Sequence, residues 1–260
     1  MTDAAKYAVI TGASKGLGKY FARALAARKQ NVVLVARSKD RLQTLASELR
    51  NTHGILAHPL EIDLASAGAG LQLAQALRDR DLQTELLVNN AGFGERGAFL
   101  QLSLDRQLQM IRLHNNAVVE LTYELLPAMI KEGHGGIINV SSMAGFQPVP
   151  FAALSSGTKS FLTTFSMALR EELRPSGIRV VTVCPGRLRA DPEDATAHEK
   201  RQKVPGGEQR HEYVVNETLK KLDTGGGLVI PGRLNRLTIR GQRLMSLTAV
   251  PKIVLKLSRS

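Results

Sequence analysis

Acidic residues are scarce in this chain: 23 Asp and Glu stand against 35 Lys and Arg in 260 residues, a formal charge of +12. That excess raises anionic partners, whether a phosphorylated cofactor, a membrane surface or nucleic acid, without choosing among them. Cysteine is nearly missing. The single Cys184 excludes an intramolecular disulfide, and the first residues show no basic-then-apolar leader pattern, so the expected setting is reducing and cytoplasmic. No stretch approaches the ~18 to 20 uninterrupted apolar residues of a membrane span, so any membrane contact is expected to be peripheral. No residue is assigned to a metal. What remains, 43% hydrophobic and 22% charged, suits one α/β domain with a core large enough to stand alone.

What is present is led by Thr11 to Gly18, TGASKGLG. It follows the apolar run Tyr7-Ala8-Val9-Ile10 and opens the helical pattern Tyr20, Phe21, Ala24, Leu25. Strand, glycine turn and helix in that order are the context of a dinucleotide site. Gly12 takes the positive φ of a tight turn, Gly16 lets backbone approach a pyrophosphate, and Gly18 lets the helix pack closely. With Ser14 and Leu17 in the same turn, the phosphates meet the positive end of the helix. The next apolar run, Asn31 to Ala36, reads as a buried parallel strand ending at Arg37, where the adenosine ribose is read. An acidic residue there binds the 2′-hydroxyl of NAD. Arg37, with Lys15 as a second cation, asks instead for a 2′-phosphate and therefore NADP(H).

The spacing Gly-x-x-x-Gly-x-Gly, preceded by Thr11, differs from the Gly-x-Gly-x-x-Gly of ordinary dinucleotide-binding dehydrogenases. Together with Asn89-Asn90-Ala91-Gly92 after the apolar Leu86-Leu87-Val88, it resembles the short-chain dehydrogenase/reductase family. The resemblance implies a single-domain, Rossmann-type, doubly wound parallel sheet of about seven strands over residues 1–232, with 233–260 as an extension of the same domain. It also implies that Asp63 and Leu64 bracket the adenine and that Asn90, Ala91 and Gly92 line the cofactor. Pro185, Gly186 and Leu188 then lie beside the nicotinamide. A homodimer or homotetramer is implied through two long helices, one at about 105–131 and one ending near Arg174. Residues 187–209 occupy the place of the family's substrate loop, but they are crowded with charge and hold almost no large hydrophobic side chain. They are expected to form a mobile, polar segment.

In the family a tyrosine gives the proton for carbonyl reduction and a lysine four positions later lowers its pKa and holds the ribose. A serine polarises the carbonyl, and an asparagine on the long helix anchors a water relay. Lys159 and Ser142 match, Ser142 lying 13 positions before the tyrosine position. That position is Ser155, and the four tyrosines, Tyr7, Tyr20, Tyr123 and Tyr213, all lie elsewhere. The asparagine position is His114, unless a local bulge brings Asn115 in, and a threonine position beyond Gly186 is Ala190. An aliphatic hydroxyl titrates near ~15.7 like water, against ~10 for tyrosine, so Ser155 is a poor proton donor. Losing a positioned acid costs about 10²- to 10⁴-fold. His114, with an ordinary pKa of ~6.5, is the candidate replacement; the plainer reading is a satisfied polar side chain in a helix break. Two functions follow from these residues. One is an NADP-dependent oxidoreductase on a carbonyl or alcohol whose standard activity is weak or absent. The other is a non-catalytic NADPH-binding pseudoenzyme with a regulatory or scaffold role.

From Arg233 to Ser260 there is no acidic residue, and seven cations alternate with leucines and isoleucines. Basic and apolar faces at helical spacing suit an anionic membrane, or else the apolar residues pack on the body or on a partner subunit. Nucleic acid has only the charge in its favour and is not expected.

Overall fold

Short runs of Val, Ile and Leu, too short for helices and buried on both sides, become the strands of a parallel sheet with both faces covered. In this computed structural model, which describes residues 5–190, 207–242, 246 and 249–259, those strands are β1 (Lys6–Thr11), β2 (Asn31–Ala36), β3 (Ala57–Glu61), β4 (Gln83–Asn89), β5 (Gly135–Val140), β6 (Ile178–Val183) and β7 (Gly227–Val229). The helices are α1 (Gly16–Ala27), α2 (Lys39–His53), α3 (Ala69–Arg78), α4 (Leu104–Ile111), α5 (Ala117–Glu132), α6 (Ala153–Leu173), α7 (His211–Asp223), α8 (Arg233–Gln242) and α9 (Ala249–Arg259). The sheet order is β3-β2-β1-β4-β5-β6-β7, every pair parallel. This is the expected Rossmann-type, doubly wound sheet of seven strands.

The period of two along the strands divides the core. Ala8, Ile10, Val32 and Leu34 face α1, α2 and α7 through Phe21, Leu42, Leu49 and Val214. Tyr7, Val9, Val33 and Val35 face the opposite way, against α3, α5 and α6 through Leu73, Leu121, Met129 and Leu169. After β3 the chain crosses back to lay β4 beside β1. The reversal opens a crevice at the carboxyl ends of those two strands, where ligands of such sheets bind.

The long helix expected at about 105–131, broken up at His114-Asn115-Asn116, is three pieces. Between α4 and α5 lies one wide π turn, Arg112–Asn116. The extra residue in that turn rotates the helix so that His114 points inward and is only 1% exposed. Of the polar segment 187–209, residues 191–206 lie outside the described residues, as does its expected mobility. Its two flanks are tied together, Arg189 N–H donating to Gln209 O at 2.9 Å and Gln209 N–H to Arg187 O at 2.8 Å. No helix among the described residues is long and apolar enough to cross a membrane.

Candidate active site at the switch point of the sheet

Thr11 stitches β1 to β4. Its hydroxyl donates to Val88 O at 3.1 Å and accepts the N–H groups of Asn90 and Ala91 at 2.9 and 3.0 Å. The Asn90 amide donates to Thr11 O at 2.9 Å, satisfying a backbone carbonyl at the strand end. The glycine turn then folds tightly over this junction. Gly12 has φ +66°, and a Cβ there would sit 2.8 Å from Ala91 Cα. At Gly18 a Cβ would stand 2.2 Å from Gly12 O, so the start of α1 lies directly on the turn. α1 begins without a side-chain cap and without an acidic residue in its first turn. Its positive end faces the cleft, where it suits an anion.

A cleft of about 960 Å³ runs from this turn across the carboxyl ends of the strands. Gly12, Ser14, Lys15, Gly16 and Leu17 line its centre, and Arg37, Asp63 and Leu64 line one end. Asn90, Ala91, Gly92, Pro185, Gly186 and Leu188 line the other end, together with His114, Ser142, Ser155 and Lys159. Of the residues assigned from sequence, Gly18 alone is outside the lining; it packs beneath it. Arg41 and His211 also line the cleft and were missed. Arg41 lies in the first turn of α2, four residues after Arg37. His211 opens α7, its ring stacked on Tyr20 with centroids 4.7 Å apart, near Gly16. No local pattern marks it, because it follows the variable segment.

Asp63 is the only carboxylate lining the described cleft, and its Oδ1 is engaged by the Ala65 N–H at 3.0 Å. Arg37 and Arg41 line the same end of the cleft, and a phosphorylated ribose fits beside them. An uncapped helix end at the centre fits a pyrophosphate.

At the opposite end, the Ser142 hydroxyl accepts the Ala144 N–H at 3.1 Å, which leaves its own proton to be donated into the cleft. The Lys159 ammonium donates to Val140 O at 2.7 Å. Its enclosure lowers its pKa to about 8, against a smaller opposing influence from Cys184. Cys184 is a buried thiol pushed up to about 11 by burial, consistent with a packing role and not a nucleophilic one.

The histidine does not serve as the substitute acid. Its Nε2 accepts the Phe93 N–H at 3.2 Å, so the ring proton sits on Nδ1, 3.0 Å from the Thr158 hydroxyl. Thr158 in turn donates to Ser155 O at 3.1 Å, and the chain of donors ends in backbone. Burial, with repulsion from Lys159 second, lowers the His114 pKa to about 2. Gly92, expected to admit the cofactor, makes room for this ring: a Cβ there would lie 2.8 Å from His114 Nε2. The π turn does supply a bulge, yet Asn115 donates to Thr158 O at 3.2 Å and does not line the cleft.

This burial sets an acid limit on stability. The folded state keeps His114 neutral, whereas the unfolded chain takes up a proton near pH ~6.5. The histidine's contribution is therefore complete above that pH. It falls by about 1.4 kcal/mol per pH unit below it, levelling off only near the folded pKa. Urea unfolding at pH 7 and pH 5 is expected to show His114→Asn losing less stability on acidification than the parent. Equal losses would mean that the imidazole is not held neutral.

Beside the cleft lies an apolar cavity of about 270 Å³, lined by Phe99, Leu102, Met110, Phe151 and Leu154 and sharing Ser155 with the cleft. Where a phenol would stand at position 155, the two spaces adjoin.

Residues 6–201 match the model of the short chain dehydrogenase family. The chain is 37% identical over 179 residues to a very-long-chain 3-oxoacyl-CoA reductase of Coprinopsis cinerea, covering 68% of this chain and 53% of that protein. It is 35% identical over 181 residues to the ketoacyl reductase HetN of Nostoc sp. strain PCC 7120, covering 70% and 63%. It thus spans somewhat more than half the length of these curated relatives. Among solved structures, a short-chain dehydrogenase from Sphingobium yanoikuyae in complex with NADPH superposes with a TM-score of 0.77. The two are 30% identical, with 92% of this chain and 94% of that one covered. The glycine turn, the Asn-Ala-Gly strand end and the lysine and serine of the cleft fall within the matched region, and the chain belongs to the short-chain dehydrogenase family.

Proposed function

We propose that the protein is an NADP(H)-dependent oxidoreductase that acts slowly on a carbonyl or alcohol bearing an apolar chain. One observation carries this reading: a single cleft has arginines at its ribose end and Lys159 and Ser142 at its other end, and adjoins an apolar cavity at Ser155. When bound, NADP(H) supplies or accepts the hydride. Lys15, Arg37 and Arg41 would hold the 2′-phosphate, and the start of α1 would hold the pyrophosphate. Ser142 donates to the substrate oxygen. Lys159 would hold a ribose hydroxyl and, among the described residues lining that end of the cleft, is the ammonium from which a proton could reach the oxygen through water. The acyl substrates named for two relatives and the NADPH bound to a structural neighbour support the choice of substrate and cofactor. Exposed Val119, Tyr123 and Ile130 on α5 and Phe161 and Met167 on α6 support pairing into a homodimer or homotetramer through those helices.

The test is fluorescence titration with NADPH and NADH, followed by a panel of ketones and 3-oxoacyl thioesters. NADPH is expected to bind about 10- to 100-fold more tightly, from charge-assisted contacts worth about 1.5 to 3 kcal/mol. Arg37→Asp should abolish or reverse the preference. Equal affinity for both cofactors would overturn the cofactor assignment. NADPH binding without measurable turnover on any member of the panel would leave the pseudoenzyme reading in its place.

A further inference from the structure

Helix α8 carries features that the cleft chemistry does not use. On α8, Asn235 and Ile239, one turn apart, are buried at 2% and 3% exposure, whereas Leu234 and Leu237 stand 61% and 59% exposed. Residues three apart share a helix face, so the two leucines form one outward apolar strip. Arg233 and Arg240, seven apart and both exposed, border it.

α8 is anchored and not a loose tail. Asn235 donates to Pro231 O at 2.9 Å and fills the space beside Gly186, where a Cβ would lie 2.7 Å from its amide. Gln242 donates to Gln147 at 2.6 Å. The strip is therefore held rigidly next to the turn that borders the cleft.

We propose that α8 docks the protein on an anionic lipid surface, with Leu234 and Leu237 entering the headgroup boundary and Arg233 and Arg240 meeting lipid phosphates and carboxylates. Charge complementarity selects this occupant. Positions 233–260 contain no acid, and a second copy on the same face would set Arg233 and Arg240 of one chain against those of the other. A nucleic acid would satisfy the arginines but leave the leucines in water. Exposed apolar residues flanked by cations on a helix match a membrane interface. The docked face would place the cleft's Gly186 end beside the source of any long-chain substrate, although docking stands independently of that activity.

Flotation with phosphatidylcholine vesicles, with and without phosphatidylserine, tests the proposal on the full chain. Binding is expected only with phosphatidylserine and should weaken as salt is raised. Leu234→Ser and Leu237→Ser should each lower partitioning about tenfold, the loss of one largely buried leucine side chain. Arg233→Gln and Arg240→Gln should each lower it about fivefold. All four side chains face solvent, so thermal melting and NADPH affinity should not change. Three results would overturn the proposal: no flotation at low ionic strength, flotation unchanged in the double leucine variant, or equal, leucine-independent binding to heparin.

Discussion

Replacing Ser155 with tyrosine is expected to raise NADPH-dependent ketone reduction by about 10²- to 10⁴-fold, the usual worth of a positioned general acid. The setting for a phenol is already built. Ser155 and Lys159 are four apart on α6 and therefore share a face, and both line the cleft. A phenol oxygen reaches roughly 4 Å beyond a serine hydroxyl on ordinary bond lengths, and the space at Ser155 adjoins the apolar cavity of about 270 Å³. The Lys159 ammonium would favour the ionised phenol and bring its pKa down toward the working range. The gain should appear in kcat more than in KM, because the new group acts on the transferring proton and not on substrate binding. A Ser155→Tyr protein that folds, binds NADPH and reduces ketones no faster than its parent would show that the missing acid is not what limits the reaction.

Gly18→Ala is expected to destabilise the fold by about 3 kcal/mol or more and to weaken NADPH binding with it. The added carbon would stand 2.2 Å from Gly12 O, 2.8 Å from Gly12 C and 2.6 Å from the Asn90 amide nitrogen. None of these yields cheaply: two are backbone of the tight turn, and the amide is fixed by its bond to Thr11 O. Alanine's helix preference over glycine, about 1 kcal/mol, is too small to offset the clash. Gly157 in α6 is the control, since a Cβ there meets nothing within 4 Å. Gly157→Ala should melt at or above the parent temperature, and Gly18→Ala well below it. If both melt with the parent, the turn is looser than its geometry indicates.

Local chemistry made much of this protein readable from the chain alone. Apolar runs of four to seven residues and the switch to helical spacing after Gly18 announce strand, turn and helix, because periodicity acts over neighbours. The absence of an acid after β2, the Asn-Ala-Gly strand end and the gap at Ser155 are likewise written at single positions. These observations defined the fold, the cofactor cleft and the absence of a tyrosine at position 155.

Other properties arose only where distant segments meet. His114 looked like a proton donor as long as its ordinary pKa was assumed; the π turn buries it, Phe93 occupies one ring nitrogen and Thr158 faces the other. Gly92, which lines the cleft, also makes room for that ring. His211, more than 190 positions from Gly16, joined the cleft through the packing of α7 on α1. Leu234 and Leu237 were part of a general amphipathic pattern until burial of Asn235 and Ile239 decided which side of α8 faced outward. Sequence determines which groups are available and how neighbours repeat. Desolvation, tautomer and exposure depend on what lies across space from each group, and only the assembled tertiary structure supplies that.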